Sequence, residues 1–321
     1  MHRIKSPIFI FSLPRSGSTL LQRILMNHSE IASLAEPWVM LPLVYATRKS
    51  GIFAEYNQDW SSQAVNDFIS VLPGGKATYQ AELRDFVIQL YSKHCPNGES
   101  YFLDKTPRYY LIIEELAEIF PDAKFIFLFR NPVEILSSIL STWCNSSLHK
   151  VHSYTTDLHQ GPKLLTKGFT EHQQRSHRID YRKLLENPRG ELDSLCRYLG
   201  LSFEEDMLEN FPKTRPRGNM GDSIGTLAYT HLTTETLHKW INMAESLVLK
   251  KYFIHYINSL EGEVVQCFGY EKDTLISEIQ QVKTHKLGSW KEWYFWWRGR
   301  QSIRFKLNLL SIRKKLKVFY S

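Results

Sequence analysis

The sequence predicts an α/β protein with a central parallel sheet flanked by helices. Two observations carry this: apolar runs such as IFIF (8–11) and KFIFLFR (124–130) are continuous rather than alternating, as in strands buried on both faces, and each is followed by a helix-like segment. Strand, helix, strand, helix in this rhythm implies parallel strands joined by crossover helices. At 321 residues and 43% hydrophobic, the chain has the composition of a folded globular protein.

The elements follow in order. The first strand leads through the turn LPRSG into a helix over about 18–27, and HSEIASLAEPW (28–38) turns back towards the opening loop. Gly51 and the LPGGK turn at 72–76 break a looser region. Leu83, Phe86, Val87, Leu90 and Tyr91 then mark a helix over 79–94. YFLDKTPR (101–108) reads as a short strand running into a turn, and a helix over 109–119 ends at Pro121. After the strand 124–130, Asn131 is placed as N-cap and Pro132 in the first turn of the next helix. Residues 144–176 are rich in His, Ser and Thr with weak periodicity. HRIDY (177–181) reads as another strand, followed by the helix of NPRGELDSLCRYLGL.

Charge divides the chain. Residues 283–321 hold eleven Lys or Arg against one acid, Glu292, so residues 1–282 are mildly acidic although the whole carries +7. The expected organisation is a domain over 1–282 and a basic, Trp-rich, amphipathic helical tail over 283–321. The acidic body argues against nucleic acid as a partner. In the tail, Phe305, Leu309, Ile312 and Leu316 recur at helical spacing, with four of the eight tryptophans just upstream. That stripe suits peripheral contact with an anionic membrane surface, or docking on the protein's own body or a partner subunit. No stretch approaches the roughly 18 apolar residues of a membrane span. The N-terminal apolar run is too short for a signal peptide, and the four cysteines (Cys95, Cys144, Cys196, Cys267) lie far apart without a CxxC pair. The expected location is a reducing, cytoplasmic compartment, at a membrane surface if the tail binds one.

In parallel sheets, ligands collect at the carboxyl ends of the strands. Four predicted strand ends carry polar residues: Arg15 to Thr19, Asp104 with Lys105, Arg130, and Tyr181. The first is a tight turn between a strand and a helix, where backbone N–H groups without partners favour an anion. Gly17 allows close approach, Ser16, Ser18 and Thr19 add hydroxyls, and Arg15 adds a planar cation. The GxxxxGK[ST] pattern of nucleoside-triphosphate loops is absent.

These residues resemble the sulfotransferase family. PRSGSTLL (14–21) is similar to its 5′-phosphosulfate loop, which implies donor contacts from Arg15, Ser16, Gly17, Ser18, Thr19 and Leu20. FRNPVEILSS resembles its 3′-phosphate element and places Arg130 and Ser138 there. DYRKLLENPRGELDSLCRYLGL (180–201) resembles the segment whose tyrosine is Tyr181, although Arg182 stands where an acid is common. The likeness extends over about 7–245. It implies a P-loop-like sulfotransferase fold and a sulfuryl donor, 3′-phosphoadenosine 5′-phosphosulfate, acting on a hydroxyl or amine of a small-molecule or carbohydrate acceptor without a metal. Arg15, where the cytosolic aryl branch has lysine, places the chain nearer the tyrosylprotein and carbohydrate branch. There the resemblance implies Glu36 as base, with Glu30 as the competing carboxylate, and Lys105 and Arg15 as catalytic cations. Ser223 matches the neighbourhood of a serine near the phosphosulfate.

Asp104 either orients Lys105 or is its surface ion-pair partner. His149, His152, His159, His172 and His177 lack metal-ligand spacing, and one of them is the alternative base. The acceptor pocket is expected from 38–60 and 143–176. The competing readings are a P-loop kinase-like phosphotransferase, opposed by the missing GK[ST], and a non-catalytic membrane-associated nucleotide-binding adaptor, opposed by Glu36 and Lys105 occurring together.

Overall fold

The structure is a computed structural model that describes residues 3–52, 56–218, 231–285 and 294. The tail beyond His285, apart from Tyr294, and Ser223 lie outside the described residues. The chain divides into two compact units: 1–129 with 167–232, and 130–166 with 233–321.

The first unit contains a parallel sheet of five strands, β1 (Ser6–Ser12), β2 (Ile31–Ser33), β3 (Tyr101–Asp104), β4 (Lys124–Phe129) and β5 (Ser176–Asp180), in the order β2-β3-β1-β4-β5. The continuous apolar runs belong to the central strands: all seven residues of β1 are buried, as are five of six in β4. Phe9 and Phe11 of β1 pack edge-on or tilted against Phe125 and Phe127 of β4, with ring centroids 4.9–6.3 Å apart. Register places Phe9 beside Asp104 and Ser12 beside Leu128, so the carboxyl ends of β3, β1 and β4 adjoin.

The edge strand β2 was read from sequence only as a segment turning back. It is three residues long, too short to show a period. It is fixed instead by Ser33, whose Oγ donates to Leu103 O (2.8 Å) and accepts from Gln22 Nε2 (2.9 Å). The helix expected at 79–94 spans Gly75–Ser92, entered through left-handed Gly74. The expected helix 109–119 is a 3₁₀ turn, Tyr109–Leu111, and an α-helix, Ile113–Ile119, parted at Ile112. Tyr181 does not end the last strand. Asp180 accepts from the amides of Arg182 and Lys183 as N-cap, so Tyr181 opens a helix, Tyr181–Glu186.

The second unit is helical. It opens on helix Pro132–Thr142, where Asn131 Oδ1 accepts from Val133 N (2.9 Å), the expected cap. The weakly periodic stretch 144–176, which passes from the second unit into the first after Thr166, contains helices Leu148–Val151 and Gly161–Glu171, hidden from the sequence pattern by intervening 3₁₀ and π turns. Among the described residues no helix is long and apolar enough to cross a membrane.

Arg23, on helix Ser18–Leu25, is wholly buried in the first unit. Its guanidinium donates to the carbonyls of Phe211 (2.7 Å), Pro212 (3.0 Å) and Thr214 (2.9 Å), so one side chain satisfies three backbone acceptors of a non-helical segment. Arg23→Met keeps bulk and removes the donors. Urea unfolding should show a loss of about 2–4 kcal/mol, and a loss below about 0.5 kcal/mol would show that those carbonyls find other partners.

Candidate active site

The loop after β1 is a compact turn: Ser16 N donates to Leu13 O (3.2 Å), and Arg15 (φ 67°) and Gly17 (φ 93°) are both left-handed. Alternation of left- and right-handed residues turns successive amides inward, the form of an anion nest. The first helical bond runs from Leu21 N to Gly17 O (3.1 Å), so the amides of Ser18, Thr19 and Leu20 precede the ladder. Leu20 is wholly buried and its side chain belongs to the core. Ser16 is 1% exposed, and its Oγ has no hydrogen-bond partner among the described residues. A buried hydroxyl in that state is costly unless a ligand satisfies it.

Gly17 is required on two counts. Its φ disfavours any side chain, and a Cβ there would lie 2.3 Å from Cε2 of the buried Tyr181 ring. The structure therefore brings the loop and Tyr181 together.

Lys105, just past β3, is 2% exposed. Its Nζ donates to Glu36 Oε1 (2.8 Å) and Thr19 Oγ1 (3.3 Å), joining three of the residues singled out from sequence. Glu36 is itself 9% exposed, and its Oε2 accepts from the Trp38 indole (3.2 Å). Glu30, the competing carboxylate, is held below its ordinary range chiefly by hydrogen bonding to Ser100.

Asp104 is no surface ion-pair partner. It is wholly buried and accepts from the hydroxyls of Tyr91, Tyr109 and Thr106, none of which the sequence reading placed at the site. Tyr91 was legible only as part of the apolar face of its helix. Burial pushes the Asp104 carboxyl up to about 6, and the three hydroxyls and Lys105 only partly oppose this.

In the second unit, Arg130 is 7% exposed. Its Nε donates to Glu134 Oε2 (2.8 Å), and Nη2 lies 3.4 Å from Thr236 O. Ser138 lies on helix Pro132–Thr142, one turn past Glu134, and is half-buried. Glu134 is a residue the sequence reading missed. Its signal is the spacing of four from Arg130, which on a helix makes an ion pair. Among the histidines, His172 lies 3.1 Å from Glu114, His177 stacks on Tyr198, and His159 sits beside Tyr256. Burial lowers the last two imidazoles. Among the described residues no three His, Cys, Asp or Glu converge as a metal site.

Two outcomes test this geometry. Gly17→Ala should destabilise by about 2–4 kcal/mol from left-handed strain and overpacking, and much less in a Tyr181→Leu background. Equal penalties in both backgrounds would show that the two residues do not touch. For Asp104, the folded-state value near 6 lies above the ordinary 3.8, so the protonated form is favoured by folding. Its contribution is full below about pH 4 and lost as pH rises through 6. Wild-type stability minus that of Asp104→Asn should therefore fall between pH 4 and pH 7, and a flat difference would contradict the burial argument.

Residues 7–205 match the Sulfotransferase family. Nodulation protein NoeE of Sinorhizobium fredii is 34% identical over 151 residues, covering 44% of this chain and 34% of that protein. Protein-tyrosine sulfotransferase 2 of Gallus gallus is 22% identical over 267 residues, covering 81% of this chain and 65% of that one. The chain thus spans less than two thirds of either relative. The sulfotransferase domain from the Synechococcus PCC 7002 olefin synthase shares the fold, with a TM-score of 0.52 and 22% identity over 84% of this chain and 97% of that domain. With the family match covering the opening loop, Glu36, Lys105, Arg130 and Tyr181, the chain belongs to the sulfotransferase family.

Proposed function

We propose that the chain transfers a sulfuryl group from 3′-phosphoadenosine 5′-phosphosulfate to a hydroxyl or amine of a small-molecule or carbohydrate acceptor. The observation that carries this reading is the buried Lys105, held between Glu36 and Thr19 beside the loop whose Ser16 hydroxyl has no partner among the described residues. The left-handed turn and that hydroxyl fit a tetrahedral anion. The bound nucleotide supplies an activated sulfur and a good leaving group, and the protein supplies position and charge.

In this reading Arg15 and the amides and hydroxyls of Ser16 to Leu20 hold the phosphosulfate. Arg130 and Ser138 serve the 3′-phosphate, with Glu134 holding the guanidinium by its Nε. Ser223 is the further donor contact proposed from sequence. Glu36 takes the acceptor proton as the new S–O or S–N bond forms and the S–O bond to phosphate breaks. An ammonium has three N–H bonds, and Lys105 gives two of them to Glu36 and Thr19. The third is available to the departing phosphate oxygen, where negative charge grows in the transition state. Protein-tyrosine sulfotransferase 2 acts, by its name, on tyrosine in proteins. A phenolic hydroxyl is accordingly one acceptor to include, beside sugars.

The test is sulfuryl transfer from ³⁵S-labelled donor to a panel of tyrosyl peptides, oligosaccharides and phenols. Labelled product should form with EDTA present, since Arg15 and Lys105 provide the cations. Phosphoryl transfer from ATP that depends on Mg²⁺, with no sulfuryl transfer, would overturn the reading. Glu36→Gln should lower turnover by roughly 10²–10⁴ with donor affinity changed less than about twofold. Near-normal turnover would remove Glu36 as the base and direct attention to the histidines between 149 and 177.

A further inference from the structure

Asp104 is wholly buried at the end of β3, next to Lys105. Its Oδ2 accepts from the Tyr91 hydroxyl (2.6 Å) and the Tyr109 hydroxyl (2.8 Å), and its Oδ1 from Thr106 Oγ1 (3.0 Å). Two of these hydroxyls reach onward to the segment that follows Glu36. Thr106 Oγ1 accepts from Trp38 N (3.2 Å), and Tyr109 Oη accepts from Met40 N (3.2 Å). A hydroxyl has one proton to give. Once that proton points at Asp104, the lone pairs are left for the amide, so an acceptor-only carboxylate fixes the direction of both relays.

What the relays hold is not a relaxed backbone. Trp38 has φ 57°, a left-handed conformation that is strained for a residue with a side chain. In that conformation its indole donates to Glu36 Oε2 (3.2 Å), while Lys105 donates to Oε1 (2.8 Å). The carboxylate of Glu36 is thus gripped at both oxygens, one grip depending on Trp38 and the other on the residue after Asp104. Tyr91 closes the far side of the network, its ring stacked on Phe102 with centroids 4.3 Å apart.

We propose that Asp104 is a positioning residue: through Thr106 and Tyr109 it holds Trp38 and Met40 and so presents the Glu36 carboxylate at a fixed place beside Lys105. Its relevance to catalysis rests on the reading of Glu36 as base. The geometric claim does not. Burial pushes the Asp104 carboxyl up to about 6, still below neutral pH, and an ionised Asp104 accepts from all three hydroxyls.

The readout is the Trp38 indole N–H resonance of the ¹⁵N-labelled full chain at pH 7, assigned by its disappearance in Trp38→Phe and its shift in Glu36→Gln. Asp104→Asn should move this resonance and speed exchange of the Trp38 and Met40 amides by about tenfold, the equivalent of one lost hydrogen bond. Affinity for adenosine 3′,5′-bisphosphate, whose contacts in the proposed reading lie outside 38–40, should stay within about twofold. If Asp104→Asn does not fold, Thr106→Val and Tyr109→Phe each remove one relay. Thr106→Val should act on the Trp38 amide, and Tyr109→Phe on the Met40 amide. Folded variants with an unmoved indole resonance and unchanged exchange overturn the positioning role. Failure of the base assignment would appear separately, as full turnover in Glu36→Gln with the Asp104 effects intact.

Discussion

The Glu36–Lys105 ion pair is the contact on which the rest of the site depends. Both partners are almost sealed from water, at 9% and 2% exposure. Two buried charges are costly to bring together unless each is further hydrogen-bonded, and removing either leaves the other stranded. Here Thr19 takes a second bond from Lys105, and Trp38 gives a second bond to Glu36. Through these four side chains the ends of three segments are tied: the helix after β1, the loop after β2, and the turn after β3. A pair of this kind is poor at stabilising a fold and good at fixing one arrangement, which suits a site where a base and a cation must not drift apart.

The pair can form because of the sheet. With β1 central and flanked in parallel by β3 and β4, the turns that follow these strands leave the sheet at the same, carboxyl end. The phenylalanine packing that keeps β1 and β4 in register therefore also sets where the opening loop begins. Tyr181 against Gly17 extends this logic to the loop itself: the close approach leaves no room for a Cβ, and the left-handed turn admits none cheaply. Arg23 anchors the chain at Phe211–Thr214, and Ala35 N, one residue before Glu36, donates to Arg217 O (2.8 Å) just beyond that anchor.

Much of this was legible in the sequence. The central strands announce themselves as unbroken apolar runs, Asn131 and Pro132 as a helix start, and the loop at 13–19 by glycine, hydroxyls and arginine between strand and helix. Glu36 and Lys105 were singled out by resemblance, and the structure places them 2.8 Å apart. What was hidden has physical causes. Three residues of β2 carry no period. The helix Gly161–Glu171 follows 3₁₀ and π turns that scramble the spacing on which periodicity relies. The hydroxyls of Tyr91 and Tyr109 were invisible because a tyrosine on an apolar face looks like any other core aromatic, and only the fold reveals that a buried carboxylate waits behind it. Asp104 itself was noticed for its neighbour in sequence, while its partners Tyr91 and Tyr109 are thirteen and five residues away along the chain.

The proposed donor carries a 5′-phosphosulfate, assigned in this reading to the loop at Arg15–Thr19, and a 3′-phosphate, assigned to Arg130 and Ser138. Calorimetry of the full chain with adenosine 3′,5′-bisphosphate and with adenosine 5′-monophosphate, both in EDTA, tests this directly. The 3′-phosphate should contribute at least about tenfold in affinity, the yield of charge-assisted hydrogen bonds worth roughly 1.5–3 kcal/mol, and Arg130→Ala should abolish that preference. Equal affinity for the two nucleotides would contradict the assignment of Arg130 and Ser138, and with it the identity of the donor.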